Sequence, residues 1–157
     1  MVVNGWTLFQ HDLFAEQLGT LITKVEALAA KEPETYRSHP ATKLLVTIED
    51  YILKQIPGDP SSPEFRQGNT LGKDNRHWFR AKFHGRYRLF FRFSTEKKII
   101  IYVWANDEKS LRKAGAKTDP YTVFQAMLRS GNPPQSLDHL LAASKKLNKE
   151  ELGPAKE

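Results

Sequence analysis

The chain has 157 residues and a formal net charge of +6, with 39% hydrophobic and 11% aromatic residues. This composition is typical of a folded globular protein, and the length suits one domain with a proper core. The absence of cysteine excludes disulfides and thiolate zinc sites. Neither a membrane-spanning apolar run nor a signal peptide is visible, so we expect a cytoplasmic protein without a membrane partner.

The positive charge is concentrated in the middle of the chain. Residues 61–130 hold 15 Lys or Arg against 6 Asp or Glu, whereas residues 1–60 hold 5 against 8 and residues 131–157 hold 4 against 4. A local excess of this kind indicates a polyanion site more than uniform solubilising charge. We therefore look for a nucleic-acid site in the middle section.

The first third of the chain predicts one short strand and two helices. The strand covers Asn4–Gln10, and the helix that follows it has Asp12 as its N-cap. A second helix begins at Pro40, where a missing N–H is harmless, and ends at Pro57. We expect an antiparallel hairpin, because each helix has one apolar face. These faces are Phe14, Leu18, Leu21, Val25 and Leu28 in the first helix, and Ala41, Leu44, Leu45, Ile48 and Ile52 in the second.

Three strands are predicted next, over Trp78–Phe83, Tyr87–Phe93 and Ile99–Ala105, because these stretches are rich in aromatic and β-branched residues. Side-chain alternation favours a three-residue turn between the first two, with Gly85 in a left-handed conformation. The last residue of the first strand then pairs with the first residue of the second. The third strand is apolar on both sides, so it should lie inside the sheet.

This register separates the side chains of the first two strands by character. One face is apolar and needs the helices to cover it: Phe79, Ala81, Phe83, Tyr87, Leu89, Phe91 and Phe93. The other face carries cations with two aromatic rings among them: Arg80, Lys82, Arg88, Arg92, Trp78 and Phe90. The positive charge thus converges on one side of the sheet.

A final helix is predicted after the strands. Asp119 can cap it, and Gly131 can end it. Before it, Asp107 is a reasonable N-cap for a short helical turn. The rest of the chain is weakly apolar and then polar, so we expect one domain over residues 1–134 and a mobile tail over residues 135–157.

The cationic face suggests a chemistry. Guanidinium and ammonium groups hold phosphates, and exposed Trp78 and Phe90 rings would stack on bases, so the face suits single-stranded RNA. In a catalytic interpretation, fixed cations stabilise the charge that builds on the phosphoryl oxygens when a 2′-OH attacks its neighbouring phosphate, a route that needs no metal. The alternative is a solvated β-face that only keeps the sheet soluble.

Other chemistry-bearing residues give weaker signals. The five histidines show no metal-ligand spacing, and we predict neither a metal nor a cofactor. His84 is more readily a turn residue than a general base. Asn106 and Asp107 can cap a turn or orient the attacking hydroxyl. Lys117 and Tyr121 can bind phosphate or donate a proton, and a plain surface role is equally open for both.

Several short motifs occur in an order that resembles one known family. They are NGW at Asn4–Trp6, ATKLL at Ala41–Leu45, GRYRLFFR at Gly85–Arg92, W-x-NDE at Trp104–Glu108, LR at Leu111–Arg112 and KTDPYTVF at Lys117–Phe124. Together with the order of strand, helical hairpin, antiparallel meander and terminal helix, they resemble the YhaV family of bacterial type II toxins, within the RelE-like superfamily of messenger-RNA interferases. The resemblance covers about residues 4–134.

The resemblance implies an α+β, RelE-like fold, in which an N-terminal helical hairpin packs on a small, mostly antiparallel sheet and a helix follows at the C-terminal end. It also implies an endoribonuclease that cuts mRNA and inhibits translation and growth. Such a toxin is neutralised by a cognate antitoxin similar to PrlF, through which alone it would contact DNA.

The resemblance and the charge pattern together give the candidate site residues. We assign catalysis to Arg80, Lys82, Arg88, Asp107 and Tyr121, where the cations hold the scissile phosphate and Tyr121 or Asp107 assists proton movement. The candidate RNA contacts are Trp78, His84, Arg86, Phe90, Arg92, Asn106, Arg112 and Lys117. A second function stays open, in which the same face only binds RNA or serves a repressor complex with the antitoxin.

Overall fold

The computed structural model describes residues 1–153 and shows a mixed six-stranded sheet with helices on both faces. The strands are β1 (Val2–Val3), β2 (Trp6–His11), β3 (Phe79–Phe83), β4 (Tyr87–Ser94), β5 (Ile99–Ala105) and β6 (Ser144–Lys146). Their order is β1-β2-β5-β4-β3, and β6 pairs with the second half of β2. Within residues 1–153 only β2 and β5 run parallel. The predicted α+β class is confirmed.

The helices are α1 (Asp12–Lys31), α2 (Pro40–Asp50), α3 (Ile56–Gly58), α4 (Pro120–Ser130) and α5 (Leu137–Ala142). A π-helical segment, Tyr51–Gln55, joins α2 to α3. The N-cap of α1 is His11 and not the predicted Asp12, because His11 Nδ1 accepts the backbone N–H of Leu13 at 3.2 Å. No helix within residues 1–153 is both long and apolar enough to cross a membrane.

The β3–β4 hairpin has the predicted register. Phe83 pairs with Tyr87, and Gly85 is left-handed with φ of +74°. His84, the residue before it, is also left-handed, with φ of +48°. β5 lies between β2 and β4, inside the sheet, as its two apolar sides predicted.

α1 and α2 cover the predicted apolar face of the hairpin. Leu89 and Phe91 of β4 are fully buried there against side chains such as Phe14 of α1 and Leu45 of α2. On α1, the predicted Leu21 is partly buried against this core, and Ile22 beside it, which was not predicted, is buried. This core fixes the hairpin whose other face carries the cations.

The opposite face of the sheet is a second core, which the sequence analysis did not predict. α4 and α5 pack on it through residues such as Phe124 and Leu140. Trp78 and Phe90 are both 0% exposed, and the Phe90 ring stacks on Phe124 with centroids 4.3 Å apart. The prediction that Trp78 and Phe90 stack on RNA bases is therefore wrong, because protein side chains already cover both rings.

The C-terminal segment is part of this fold. Leu140 of α5 is fully buried in the second core, β6 pairs with β2, and Leu147 just beyond β6 is also fully buried. The expected mobile tail does not hold for residues 137–153, because a few leucines and one short strand dock this segment on the sheet. The end of that predicted tail, residues 154–157, lies outside the described residues.

Candidate functional site

Two arginines from neighbouring strands meet at one phenol. Arg80 of β3 donates from Nε to Tyr121 Oη at 2.8 Å, and Arg88 of β4 donates from Nε to the same oxygen at 3.1 Å. The exposed fractions of the three residues are 7%, 7% and 5%. The structure thus brings together three of the five predicted catalytic residues, which we call the arginine–tyrosine cluster.

Strand register and one helix end create this cluster. Arg80 pairs with Phe90 and Lys82 pairs with Arg88, so the two arginines are diagonal neighbours on the same face of the sheet. Tyr121 is the second residue of α4, and its ring meets the Phe90 ring edge-on with centroids 5.6 Å apart. The second core therefore holds the phenol where both guanidinium groups can donate to its hydroxyl.

In the described part of the chain, the other hydrogen-bond partners of the two arginines are backbone carbonyls and not carboxylates. Arg80 Nη1 donates to the Glu64 carbonyl at 2.8 Å, and Arg88 Nη1 donates to the carbonyls of Gly85 and Tyr87 at 3.0 and 2.9 Å. Within residues 1–153, neither guanidinium forms an ion pair. Because largely buried charges are normally paired, two such cations side by side favour the binding of an anion.

The Tyr121 hydroxyl can donate a hydrogen bond to such an anion. A phenol oxygen accepts hydrogen bonds and donates one. Its partners among the described residues are the two Nε donors, which both use it as an acceptor. In residues 1–153 its own O–H has no acceptor, so the hydroxyl can donate to an anion.

A third arginine lies on the ring of the same phenol. The Arg112 guanidinium carbon is 4.9 Å from the Tyr121 ring centroid, and Arg112 Nη1 donates to Asp119 Oδ1 at 2.6 Å. Asp119 is also the N-cap of α4, as predicted, since Oδ2 accepts the backbone N–H of Tyr121 at 3.1 Å. The link to Arg112 was not predicted, because no sequence pattern signals the path of the loop between the two residues.

The Asn106 side chain holds the backbone of Arg88 in place. Its Oδ1 accepts the backbone N–H of Arg88 at 2.6 Å, and its Nδ2 donates to the carbonyls of Arg86 and Ser110 at 3.0 and 2.8 Å. Because its oxygen and its amide nitrogen are already bonded to the backbone, the structure gives Asn106 a structural role and does not support its predicted contact with RNA. Its role is to hold the start of β4.

Asp107 is not part of the cluster. Its Oδ1 accepts hydrogen bonds from Lys109 N and Ser110 Oγ, so it caps the turn Glu108–Ser110 as the sequence predicted. Burial, and then the charges of Glu108 and Asp107, raise the pKa of the Tyr87 hydroxyl, which packs on the α1–α2 side of the sheet. No hydrogen bond joins Asp107 to the cluster within residues 1–153, so the structure does not support its predicted catalytic role.

Three further predicted cations are exposed at the surface. Lys82 is exposed and is the cross-strand neighbour of Arg88. Arg86 is exposed and donates from Nε to the Arg112 carbonyl at 3.1 Å. Lys117 is exposed in the loop that leads to α4. Their exposed charges can contact a polyanion at the surface.

Two other predicted RNA contacts lie elsewhere. His84 Nε2 bonds to Thr47 Oγ1 of α2 at 2.8 Å, on the other side of the sheet. Arg92 lies 5.3 Å from the Trp78 ring centroid and donates from Nη1 to the Gln135 carbonyl at 2.6 Å, and burial lowers its pKa. The structure therefore gives both residues protein partners outside the arginine–tyrosine cluster.

A groove of about 570 Å³ lies on the α1 side of the sheet. Its lining includes Leu13, Leu21, Tyr87 and Asp107 but no residue of the arginine–tyrosine cluster. Among residues 1–153, no group of three or more histidine and acidic side chains is arranged to hold a metal ion. The candidate site is therefore the cluster and its surrounding cations, separate from the groove.

Comparison with known proteins identifies the family. One family model matches residues 8–145, a span that includes the whole cluster, and it describes a toxin with endonuclease activity, of toxin–antitoxin system. The chain belongs to the YhaV toxin family. This confirms the resemblance carried by the short motifs, and it makes the chain a toxin with endonuclease activity.

Curated relatives agree with this assignment. Toxin YhaV of Escherichia coli O6:H1 is 50% identical over 140 residues, which cover 88% of this chain and 91% of the relative. Ribonuclease toxin YhaV of Escherichia coli K12 and Toxin YhaV of Escherichia coli O157:H7 are each 49% identical over the same lengths. No solved structure matches the chain significantly.

Proposed function

We propose that the toxin is an endoribonuclease whose arginine–tyrosine cluster binds the scissile phosphate of RNA. The observation that carries the proposal is the convergence of Arg80 Nε and Arg88 Nε on Tyr121 Oη, without a carboxylate partner in the described part of the chain. The name of the K12 relative, a ribonuclease toxin, supports RNA as the substrate.

In the proposed step the 2′-oxygen bonds to phosphorus while the bond from phosphorus to the 5′-oxygen breaks. Negative charge builds on the non-bridging oxygens, where the remaining N–H groups of Arg80 and Arg88 stabilise it. The 2′-hydroxyl releases its proton to solvent, and the Tyr121 O–H protonates the leaving 5′-oxygen. Solvent then returns a proton to the Tyr121 oxygen. The products are a 2′,3′-cyclic phosphate and a 5′-hydroxyl.

Arginine charge supplies the electrostatic stabilisation in this mechanism, so we propose that it proceeds without a metal ion. Lys82, Arg86 and Lys117, which are exposed around the cluster, hold the phosphates that flank the cut. Their contacts act on the RNA backbone and carry no sequence information by themselves.

The neutralising partner in this proposal is an antitoxin similar to PrlF. Membership of a toxin–antitoxin family supports an antitoxin partner, and the PrlF-like type rests on the motif resemblance. The toxin reaches DNA only through this antitoxin. Cleavage of messenger RNA in the cytoplasm inhibits translation and then growth.

The test is cleavage of a long unstructured RNA by purified toxin, freed of antitoxin, in buffer with EDTA. We expect new 5′-hydroxyl ends and 2′,3′-cyclic phosphates, and we expect Arg88→Ala to remove them while the circular dichroism spectrum stays unchanged. Wild-type cleavage by Arg88→Ala would contradict the proposed site. Cleavage that requires added Mg²⁺ and leaves 5′-phosphates would contradict the mechanism.

The binding-only alternative gives a different result in the same experiment. Salt-dependent RNA affinity without new ends, on free RNA and on translating ribosomes alike, would replace the nuclease proposal by RNA binding. Cleavage only on translating ribosomes would keep the chemistry and add a requirement for the ribosome.

A further inference from the structure

We propose that Asp119 is a positioning residue of the nuclease site, which acts through Arg112 to hold the Tyr121 phenol over the two phosphate-binding arginines. The inference rests on the proposed function of the cluster. Asp119 was predicted only as a helix cap. The inference gives it a second role, which its second carboxylate oxygen performs.

The two oxygens of Asp119 have different partners. Oδ2 accepts the backbone N–H of Tyr121 at 3.1 Å, which is the cap of α4. Oδ1 accepts Arg112 Nη1 at 2.6 Å and the backbone N–H of Lys113 at 2.7 Å. A cap needs only one acceptor. The second oxygen therefore ties the loop at residues 112 and 113 to the start of the helix.

This arrangement holds the phenol from several directions. Asp119 fixes the backbone of Tyr121, and the Arg112 guanidinium carbon lies 4.9 Å from the centroid of its ring. Arg80 and Arg88 fix the hydroxyl, and the Phe90 ring meets the Tyr121 ring edge-on. Of these supports, the Asp119–Arg112 ion pair is the one that reaches the ring from outside the sheet.

Burial makes the pair effective. The Asp119 side chain is 3% exposed and that of Arg112 is 31% exposed, so solvent screens the carboxylate very little. A charge-assisted hydrogen bond in such surroundings fixes geometry as well as adding energy. Loss of the pair frees the Arg112 side chain and leaves one side of the phenol unsupported.

A loosened phenol affects the chemical step more than RNA binding. RNA affinity comes from many backbone contacts, whereas proton transfer by Tyr121 depends on its position, and an error of about 1 Å can cost about 100-fold in rate. Asp119 should therefore influence kcat and leave KM nearly unchanged. A purely structural cap would influence stability alone.

The experiment compares Asp119→Asn, Asp119→Ser, Arg112→Ala and the double variant Arg112→Ala/Asp119→Asn with the wild type. Asn and Ser are good N-caps, so both Asp119 variants keep α4 capped while they break the ion pair. We expect each single variant to lower kcat about tenfold or more, with KM within about twofold. We expect the double variant to lose less than the product of the two single losses, because both changes remove the Asp119–Arg112 ion pair and Asp119→Asn removes in addition the acceptor of the Lys113 N–H.

Two controls accompany these variants. Ser136→Ala removes the side-chain cap of α5, where Ser136 Oγ accepts the backbone N–H of His139, and it should lower the melting temperature without changing kcat. Affinity for a 2′-O-methyl RNA, which cannot undergo 2′-OH attack, reports ground-state binding and should stay the same in all variants.

Three results would overturn the inference. They are a wild-type kcat in both Asp119 variants, a multiplicative loss in the double variant, or a raised KM with unchanged kcat in Arg112→Ala, which would make Arg112 a direct RNA contact. All three leave Arg88→Ala inactive. Failure of the proposed function is distinct, since it appears as a wild type without cleavage or an active Arg88→Ala.

Discussion

The two ends of one sheet face use the same residue type in different ways. At one end, Arg80 and Arg88 bond to a phenol and form no ion pair within residues 1–153. At the other end, Arg92 lies over the Trp78 ring and donates to the Gln135 carbonyl. The difference teaches that the hydrogen-bond partners of an arginine, and not its charge alone, distinguish a candidate anion site from an arginine that holds a chain segment in place.

The covering segment explains the second end. Residues after α4 fold back over this part of the sheet, and Gln135 also accepts Trp78 Nε1 at 3.0 Å through its side-chain oxygen. Burial lowers the pKa of Arg92 there. An arginine held in this way stabilises the C-terminal segment, and its substitution should leave the chemistry at the other end intact.

The largest expected effect comes from replacing the arginines at each end by alanine and comparing the cleavage rates. Arg80→Ala and Arg88→Ala should each lower the single-turnover cleavage rate by about 10³-fold, because each removes a donor aimed at the charge that develops on the phosphate. The matched variant Arg92→Ala should stay within about threefold of the wild-type rate and mainly destabilise the fold. Equal losses at both ends would break the comparison.

Trp78→Ala sharpens the comparison through stability. Removal of this fully buried ring, which meets Phe124 edge-on at 5.0 Å, should lower the free energy of unfolding by about 3 kcal/mol. Urea denaturation monitored by circular dichroism measures the loss. RNA affinity of the folded fraction should be unchanged. A Trp78→Ala protein of wild-type stability but weak RNA binding would restore the base-stacking role that the structure removes.

Lys82→Ala tests the surface around the cluster with a smaller effect. Because Lys82 is exposed beside Arg88, its loss should remove about one phosphate contact. The slope of log affinity for single-stranded RNA against log salt concentration should therefore fall by about 0.7. The control Lys97→Ala, at the exposed tip between β4 and β5, should leave the slope unchanged. Equal slopes for Lys82→Ala and the wild type would place the RNA elsewhere.

The smallest effect is a pH dependence of stability that arises far from both ends. Burial lowers the pKa of His11 below its ordinary value of 6.5, and His11 Nδ1 caps α1 as an acceptor. The unfolded chain therefore binds a proton at His11 more readily than the folded chain, so stability is present above about pH 6.5 and falls as the pH drops below it.

His11→Asn checks this effect. Asn keeps a capping acceptor but does not titrate, so the fall in the free energy of unfolding between about pH 7.5 and about pH 5.5 should be smaller than in the wild type. Urea titrations at both pH values measure it. The same pH dependence in both proteins would assign the titration to other groups.

Local patterns predicted most of the fold. Ile99–Ala105 was predicted with its exact bounds, and Gly85 with side-chain parity gave the β3–β4 register. The second core was not predicted, because the apolar residues of α4 do not tell which sheet face they cover. The docking of residues 137–153 on the sheet was not predicted, because only a few separated leucines in this segment indicate burial.

The site was predictable in its residue types but not in its partners. Arg80, Arg88 and Tyr121 came from charge and motif resemblance, and the structure brings them together. Asp107 follows Asn106 in the sequence, yet its side chain accepts the backbone N–H of Lys109 and does not bond to the cluster. His84 lies four residues before Arg88, yet its side chain bonds to Thr47 of α2. Sequence proximity does not settle the face on which a turn residue projects.

The measurement that tests the central claim most directly is single-turnover RNA cleavage by Tyr121→Phe, with Tyr51→Phe as the matched control. Tyr121→Phe removes only the hydroxyl that joins Arg80 and Arg88, whereas the Tyr51 hydroxyl donates to the Lys82 carbonyl from the α2 side of the sheet. We predict a rate lower by about 100-fold for Tyr121→Phe, with unchanged affinity for 2′-O-methyl RNA, and a near wild-type rate for Tyr51→Phe. A wild-type rate in Tyr121→Phe would contradict the account.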